Sequence, residues 1–521
     1  MSFISAGHLQ QFENLIPVRK TLDDTDILII RDGSKVFASS PDCPHKGAPL
    51  EDGAVCRGKL VCPWHKAAFD ITSADVCEPP ALTGLKRYAT EIREGEIFVD
   101  TSVATESTGE RPNRLTAVSD RAHVVIIGAG AAGSAALQTL VNNCFNGQIT
   151  VIDPDQHAPY DRTLLTKAVP AGDMEPEDVP TLDAVDAMQR TEVTRLMSAV
   201  AEINTRAKRV ELKDGQTVNF DRLIVATGGV PVRPDLPGVN LSGVHTLRNV
   251  EQVTHVIDDV ENTNQISIVG NSFIGLEVAA ALKQRNSRIR VRVIAPDPVP
   301  FENQFGSTVG QYFRNLHEGK GVEFVNDEVT AFTGAEKVTG IKLASGQFIE
   351  SDLVLLATGV KTDTHLLNSL PLNNDGQINV DAYLRASEHV YAVGDIISYP
   401  YKGIPMHVEH WRTAQQQGKH AALNLLRSLG QQGELQAFDK TPYFWTKQYD
   451  DKFEYVGHAK SWDDIETVGA PGDEHFLAVF RQEGKVVAAL AKGYPKLTAK
   501  MVIEMDDHVP LSSIMAKLEA A

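Results

Sequence analysis

HVVIIGAGAAGSAALQTLVNNCFNGQITVID, residues 123–153, reads as strand, glycine turn, helix and strand. His123 to Ile127 is a short apolar run that ends at Gly128-Ala-Gly130-Ala-Ala-Gly133. An alanine-rich segment follows, then a second apolar run from Gln148 to Ile152. Short apolar runs bounded by glycine and separated by helix formers make the pattern of a β-α-β unit. The glycines permit a tight turn and let a pyrophosphate approach the N-terminus of the helix. Alone, this spacing is a weak signal. Asp153 strengthens it, because it ends the next strand where a ribose-binding carboxylate belongs. Its alternative role is a turn residue ahead of Pro154.

A similar unit returns downstream. Ile266 to Val269 is a strand, Gly270-Asn-Ser272-Phe-Ile-Gly275-Leu-Glu277 opens a helix, and Arg290 to Ile294 is the next strand. Ser272 takes the place of the middle glycine, which still allows a tight turn but holds the backbone a little further from phosphate. Two such units predict two nucleotide-binding domains, a duplicated architecture and not a short solenoid repeat.

Upstream, the first hundred residues alternate in short segments such as Asp26 to Ile30 and Glu96 to Val99, punctuated by Asp32-Gly33, Asp52-Gly53 and Glu94-Gly95. This predicts a small antiparallel β domain. Thr101 to Asn113 is polar, lacks apolar periodicity and reads as a linker. Beyond Gly430 an aromatic-rich stretch, Pro442-Tyr-Phe-Trp-Thr-Lys-Gln-Tyr449, precedes a predicted terminal helix and suggests a further domain.

The β domain carries Cys43-Pro-His45 and Cys62-Pro-Trp-His65, separated by residues 46–61. Each short loop offers one thiolate and one imidazole. A Rieske [2Fe–2S] centre needs two thiolates on one iron and two imidazoles on the other, which these loops can supply. Pro44, Pro49 and Pro63 stiffen the loops. Zinc is the alternative, since two Cys and two His also build a tetrahedral zinc site. Zinc sequences usually pair Cys with Cys and His with His, unlike this order.

The composition agrees with a multidomain globular chain. With 521 residues it is too long for one core. Hydrophobic residues make up 42% and charged residues 23%. The formal net charge is −18, which repels phosphate backbones and makes nucleic acid an improbable partner. That charge either keeps the protein soluble or suits a basic patch on another protein. The N-terminus lacks a secretory pattern and no run of eighteen apolar residues occurs, so neither export nor a membrane span is expected, and the expected compartment is the cytoplasm. Four of the five cysteines (Cys43, Cys56, Cys62, Cys77 and Cys144) lie in the first eighty residues, a metal-site distribution and not a disulfide scaffold. Cys56 and Cys77 are expected to be buried structural residues.

The segments CPHKGAPL and CPWHKAAFD resemble the two cluster-binding loops of the Rieske domain family, most closely the Rieske ferredoxins of oxygenase systems. The resemblance implies Cys43 and Cys62 on the buried iron and His45 and His65 on the more exposed one. High-potential relatives add a disulfide between the loops; Ala48 and Trp64 occupy those positions here. They also donate hydroxyls to the cluster, whereas Lys66, Ala67, Ala68 and Phe69 have none. Fewer hydrogen bonds to the sulfurs imply a low-potential centre.

The first glycine motif, Ala226-Thr227-Gly228-Gly229 after the strand Leu223 to Val225, and Val390-Tyr-Ala-Val-Gly394-Asp395 together resemble the two-dinucleotide-binding flavoproteins. The resemblance implies FAD, with Asp395 holding its ribitol. Pro159-Tyr-Asp-Arg162-Thr-Leu-Leu-Thr-Lys167 lacks the redox cysteine pair of disulfide reductases and is similar to oxygenase-coupled ferredoxin reductases and apoptosis-inducing factors. In those relatives Arg162 would contact FAD and Lys167 would lie by the flavin N5. Lys167 is otherwise a solvated lysine. Val408 to Gly418 matches the segment whose helix N-terminus faces the flavin pyrimidine, and Trp411 either covers the ring or is a core residue. Glu277 would lie near the nicotinamide, Asp297 would take the ribose role that favours NADH over NADPH, and Ala357-Thr-Gly359 closes the second nucleotide domain.

The expected fold is therefore multidomain: an N-terminal all-β Rieske domain, two Rossmann-like α/β domains for FAD and NAD, and an α+β C-terminal domain. The expected divisions are a Rieske domain at 1–103, a linker at 104–119, FAD-binding parts at 120–251 and 376–432, an NAD(P)-binding domain at 252–375 and a C-terminal reductase domain at 433–521. This order resembles the Rieske-containing apoptosis-inducing-factor-like flavoproteins over almost the whole chain. It implies an oxidoreductase that passes electrons from NAD(P)H through FAD to the cluster, and on to a redox partner protein such as an oxygenase. Lys167 and Glu277 are the candidate catalytic residues. The linker would let the Rieske domain shuttle, with the histidines facing either the flavin or the acceptor. The rival readings are an NADH-responsive redox-sensing interaction protein and an oxidase or disulfide reductase that uses the cluster structurally.

Overall fold

The computed structural model describes residues 3–106 and 121–506. The N-terminal part is two antiparallel sheets. A six-stranded sheet runs in the order Phe3–His8, Glu96–Glu106, Lys86–Arg93, Lys35–Ser39, Thr25–Asp32 and Val18–Leu22. A four-stranded sheet of Ala54–Cys56, Lys59–Val61, Ala68–Asp70 and Val76–Glu78 carries the second Cys-His loop between its two middle strands. The strand Glu96–Glu106 continues past the expected domain end at 103 and takes Thr101 to Glu106 out of the expected linker, because Ala104 to Glu106 still pair with Lys86 to Tyr88. The remainder of the expected linker lies outside the described residues.

The first β-α-β unit forms around the helix Ala131–Asn142. Its sheet runs Val193–Leu196, Gln148–Ile152, His123–Ile127, Arg222–Val225 and Val390–Ala392 in parallel, with Arg385–Ser387 antiparallel at the edge. These strands read as continuous apolar runs because the sheet is buried on both faces, its core shared with helices and with Val200, Ile203, Val210, Leu212 and Val218 of a small three-stranded sheet. One long helix, Trp411–Ser428, packs against Ala131–Asn142. A Cβ at Gly418 would stand 2.0 Å from the Ala132 carbonyl oxygen, so glycine is what lets the two helices meet.

The second unit is built on the parallel order Val244–His245, Leu353–Leu356, Gln265–Val269, Arg290–Ala295 and Val322–Asn326. Its helix is Phe273–Arg285, and a neighbouring helix, Val250–Val260, starts ahead of the expected boundary at 252 because Asn249 caps it through Gln252 N–H. The chain ends in a five-stranded antiparallel sheet, ordered Tyr443–Gln448, Asp451–Gly457, Lys485–Lys492, Phe476–Gln482 and Asp464–Val468, with the helix Pro495–Asp506 on it. Among the described residues, no helix is long and apolar enough to cross a membrane.

The parts are joined through buried contacts. Ala499 and Ile503 of the last helix pack with Ala54, Cys56, Val61 and Ala68 of the small N-terminal sheet. Cys56 is buried and Cys77 half-buried at this seam. The interface is also charged, as the site below shows.

Candidate redox site

The glycine turns build the first cavity. A Cβ at Gly133 would fall 1.8 Å from the Gly128 carbonyl oxygen, and one at Gly128 would fall 2.3 Å from that of Ala226, so both glycines serve close backbone packing. Gly130 instead faces open space, its nearest neighbour being the Arg162 guanidinium carbon at 3.9 Å. That gap has the character of an anion cradle at a helix N-terminus. Asp153 accepts from the Ala129 N–H and lines the same cavity as Arg162, Lys167, Thr227, Gly228, Gly394, Asp395 and Trp411. The sequence did not single out Arg248, whose Nη2 donates to Asp395 Oδ2 at 2.5 Å. Trp411 is the first residue of its helix and lines the cavity half-buried, so its place is in the cavity wall. Its Nε1 and the Nδ1 of His410, both buried, have no partner among the described residues. Two unpaired buried polar atoms beside an anion cradle fit a bound dinucleotide with polar edges.

Lys167 and Glu277 meet at the boundary between the two nucleotide domains. Lys167 Nζ lies 2.6 Å from Glu277 Oε2, to which Thr166 Oγ1 also donates at 2.7 Å. Thr446 Oγ1, from the C-terminal sheet, donates to Glu277 Oε1 at 2.9 Å. Three parts of the chain thus fix one ion pair between a half-buried lysine and a buried carboxylate. Thr446 carries no sequence signal, since only the tertiary fold brings it there.

The second cavity, about 670 Å³, is lined by Gly270, Ser272, Asp297 and Gly359. Ser272 does more than tolerate the turn: it caps the helix, accepting from Gly275 N–H and donating to the Ala357 carbonyl at 3.0 Å. Gly275 fits against the Gly270 carbonyl, where a Cβ would stand at 2.5 Å. Glu302, Asp327 and Glu328 join Asp297 on the lining, and among the described residues no Lys or Arg does.

The two Cys-His loops sit side by side. Cys43 and Cys62 are 2% and 1% exposed, and the two thiols lie close enough to perturb each other. That proximity drives the Cys62 thiol down and, with burial, the Cys43 thiol up. The backbone N–H groups of His45 and Lys46 favour a thiolate at Cys43, and those of Trp64 and His65 favour one at Cys62. The His45 and His65 rings stand 5.0 Å apart, nearly perpendicular. Burial, with Lys46 nearby, lowers His45 to about 4, and burial with His45 beside it lowers His65, so both imidazoles are neutral and able to ligate. His45 Nδ1 is buried and has no partner among the described residues. Among the described residues no three His, Cys, Asp or Glu side chains converge on a single ion. A thiol pair beside an imidazole pair fits two irons with two protein ligands each better than one tetrahedral zinc.

The histidines face inward. The His65 ring lies 4.5 Å from the Trp445 ring, and Trp445 lines the first cavity with Phe444 and Tyr443. The next residue, Lys66, is fully buried and has a left-handed backbone, φ 63°. Its ammonium donates to the Pro63 carbonyl at 2.6 Å and pairs with Glu454 at 3.0 Å. Burial lowers it to about 8. Glu454 also accepts from Tyr443 (2.8 Å), Lys452 (3.0 Å) and Thr498 (2.7 Å). On the flavin side, buried Arg412 donates to the Lys66 and Pro79 carbonyls, and Gln416 to Glu78. Lys46 pairs with Asp161 at 2.6 Å. The β domain is thus held on the reductase body by buried charges, in place of the shuttling domain expected.

Residues 122–418 match the pyridine nucleotide-disulphide oxidoreductase family. The chain belongs to that family. Residues 2–89 match the Rieske [2Fe-2S] domain and residues 443–516 the reductase C-terminal domain. This family member therefore uses FAD and NAD(P)H, carries a [2Fe–2S] Rieske domain and is an oxidoreductase of the ferredoxin-reductase type. It is 28% identical over 510 residues to apoptosis-inducing factor 3 of Homo sapiens, covering 95% of this chain and 82% of that one. It is 31% identical to rhodocoxin reductase of Rhodococcus erythropolis, covering 75% of this chain and 89% of that one. The ferredoxin reductase for the CYP199A2 system of Rhodopseudomonas palustris superposes with a TM-score of 0.67 at 25% identity, over 72% of this chain and 91% of that one. Unlike the disulphide reductases that name the family, this chain has Cys144 as the sole cysteine of the matched segment.

Proposed function

We propose that this flavoprotein moves electrons from NADH to its own Rieske centre and from there to an acceptor protein, such as a terminal oxygenase. The observation that carries the reading is the Trp445 ring, which touches His65 on one side and lines the flavin cavity on the other. FAD bound there accepts hydride, and the [2Fe–2S] cluster handles electrons one at a time. Cys43, Cys62, His45 and His65 are the proposed iron ligands. Gly128, Gly130, Gly133, Asp153, Arg162, Thr227, Gly228, Gly394, Asp395 and Trp411 are the proposed FAD contacts. Gly270, Gly275, Glu277 and Gly359 are assigned to the nicotinamide nucleotide.

Lys167 places a cation at the edge of the flavin cavity, where it stabilises negative charge developing on the ring, and Glu277 holds that ammonium in position. Asp297 and the three carboxylates around it disfavour a 2′-phosphate, so NADH is the proposed donor. The docked domain brings the two centres together without a diffusional step. No specific observation favours the redox-sensing alternative.

Replacing a thiolate separates the two half-reactions. Cys43→Ser is expected to keep NADH-dependent ferricyanide reduction while cytochrome c reduction falls at least about tenfold. Equal cytochrome c reduction by the variant and the parent would refute passage through the cluster.

A further inference from the structure

Lys66 follows His65 in the second Cys-His loop and is fully buried. Lysine is almost never fully buried unless its charge is matched. Here the ammonium donates to the Pro63 carbonyl at 2.6 Å and to the Pro495 carbonyl at 3.3 Å, and it pairs with Glu454 at 3.0 Å. The backbone at Lys66 is left-handed, φ 63°, a conformation that favours glycine over a side chain of this length. We propose that Lys66 sets the potential of the iron–sulfur centre, as a buried cation beside the second loop that stabilises the reduced form. It acts through space, as a positioning residue and not as a catalytic one. The inference rests on the iron ligands proposed above.

Three observations carry it. The first is place. The Pro63 carbonyl that holds the ammonium belongs to the residue next to Cys62. The Cys43 thiol acts most on Cys62, and burial acts most on His65; the Lys66 charge adds to both, favouring the thiolate and opposing the imidazolium. The second is surroundings. Ala67, Ala68 and Phe69 are fully buried after it, and the Tyr443 ring lies 5.7 Å from the ammonium. Water and salt screen a charge little in such a place, so it acts more strongly than a surface lysine. The third is balance. Glu454 answers two ammonium groups, Lys66 and Lys452, each at 3.0 Å, and the three together stay singly positive.

Electron counting gives the sign. With two thiolates and two neutral imidazoles, a [2Fe–2S] centre is neutral when oxidised and singly negative once one electron has entered. A fixed cation nearby favours the negative form and raises the potential. Lys66, Ala67, Ala68 and Phe69 offer no hydroxyl to the sulfurs, so the lysine supplies through its charge what hydroxyl donors supply through hydrogen bonds. A lysine that only anchored the seam would leave the potential in place when removed.

The test is a dithionite titration of the full-length holoprotein at controlled potential, followed by low-temperature EPR. In Lys66→Met the ratio of reduced to oxidised centre at a fixed potential is expected to fall about tenfold, ~59 mV for one electron. Lys66→Arg keeps the charge and is expected to stay within about threefold of the parent. The double variant Lys66→Met/Glu454→Gln removes both members of the pair, returns the group to one positive charge on Lys452 and is expected to recover most of the loss. A Lys66→Met ratio within threefold of the parent would overturn the proposal, and so would a double variant no better than the single one. Should Lys66→Met not hold its cluster, Lys452→Met removes a charge of the same group from a more exposed place. A fall of about threefold is expected there, smaller at high salt, and an unchanged ratio would equally overturn the proposal. Failure of the underlying reading shows itself differently. If NADH does not reach the cluster, dithionite still does and the shifts remain; if the ligands are misassigned, Cys43→Ser keeps the rhombic signal.

Discussion

Lys167 and Glu277 are far apart in sequence and 2.6 Å apart in space. Both were legible as separate motif residues, one in the Tyr-Asp-Arg…Lys segment and one in the second glycine motif. Their pairing was not legible, nor was the Thr446 hydroxyl that completes it, because period and spacing report only local structure. Lys167→Met removes the cation and leaves Glu277 buried with two hydroxyl donors. It is expected to slow NADH reduction of the flavin about 10–100-fold, or ~1.4–2.7 kcal/mol of barrier. Stopped-flow bleaching of the flavin measures this, and a rate within threefold of the parent would remove Lys167 from the chemistry. The four carboxylates of the second cavity set the nucleotide in the same residue-by-residue way. NADH should exceed NADPH in kcat/KM by at least about tenfold, and Asp297→Arg should narrow that ratio. Equal use of both nucleotides by the parent would contradict the assignment.

At the scale of elements, the sequence exposed both β-α-β units nearly to the residue, since apolar runs and glycines mark buried parallel strands and the helices after them. It hid the way the elements dock. Lys66 reads as one of fifty lysines and arginines in the sequence. In the fold it is a buried cation between a cluster loop, the C-terminal sheet and the last helix. Glu454→Gln keeps the shape but leaves Lys66 without its carboxylate, a change expected to cost about 3–5 kcal/mol. Urea unfolding of the holoprotein would show it. The same seam makes a pH prediction. Burial opposes the charge on Glu454, but Lys66 and Lys452 hold its carboxyl down at about 2. Against the same burial, Lys440, Arg412 and Lys419 hold Glu78 at about 2. Both lie below the ordinary value of 4.5, so their stabilisation is complete above that pH and is lost as pH falls toward 2. Glu454→Gln should therefore flatten the acid limb of the stability curve. An acid limb of unchanged slope would show that Glu454 does not anchor the seam.

For the whole molecule, the order of parts followed from motifs that each constrain a short stretch. The relation between the parts did not, because a polar segment such as Thr101 to Asn113 looks alike whether the domain beside it swings or is fixed. Arg412, Glu78, Lys66 and Glu454 decide for a fixed domain, with His65 turned toward Trp445 and the flavin cavity. The central claim is that this arrangement carries electrons inside one chain. An anaerobic NADH titration of the holoprotein, followed by visible absorption and low-temperature EPR, tests it most directly. The account predicts that the flavin bleaches and that a rhombic Rieske signal grows in with it. A bleached flavin beside a cluster that stays oxidised would contradict the account.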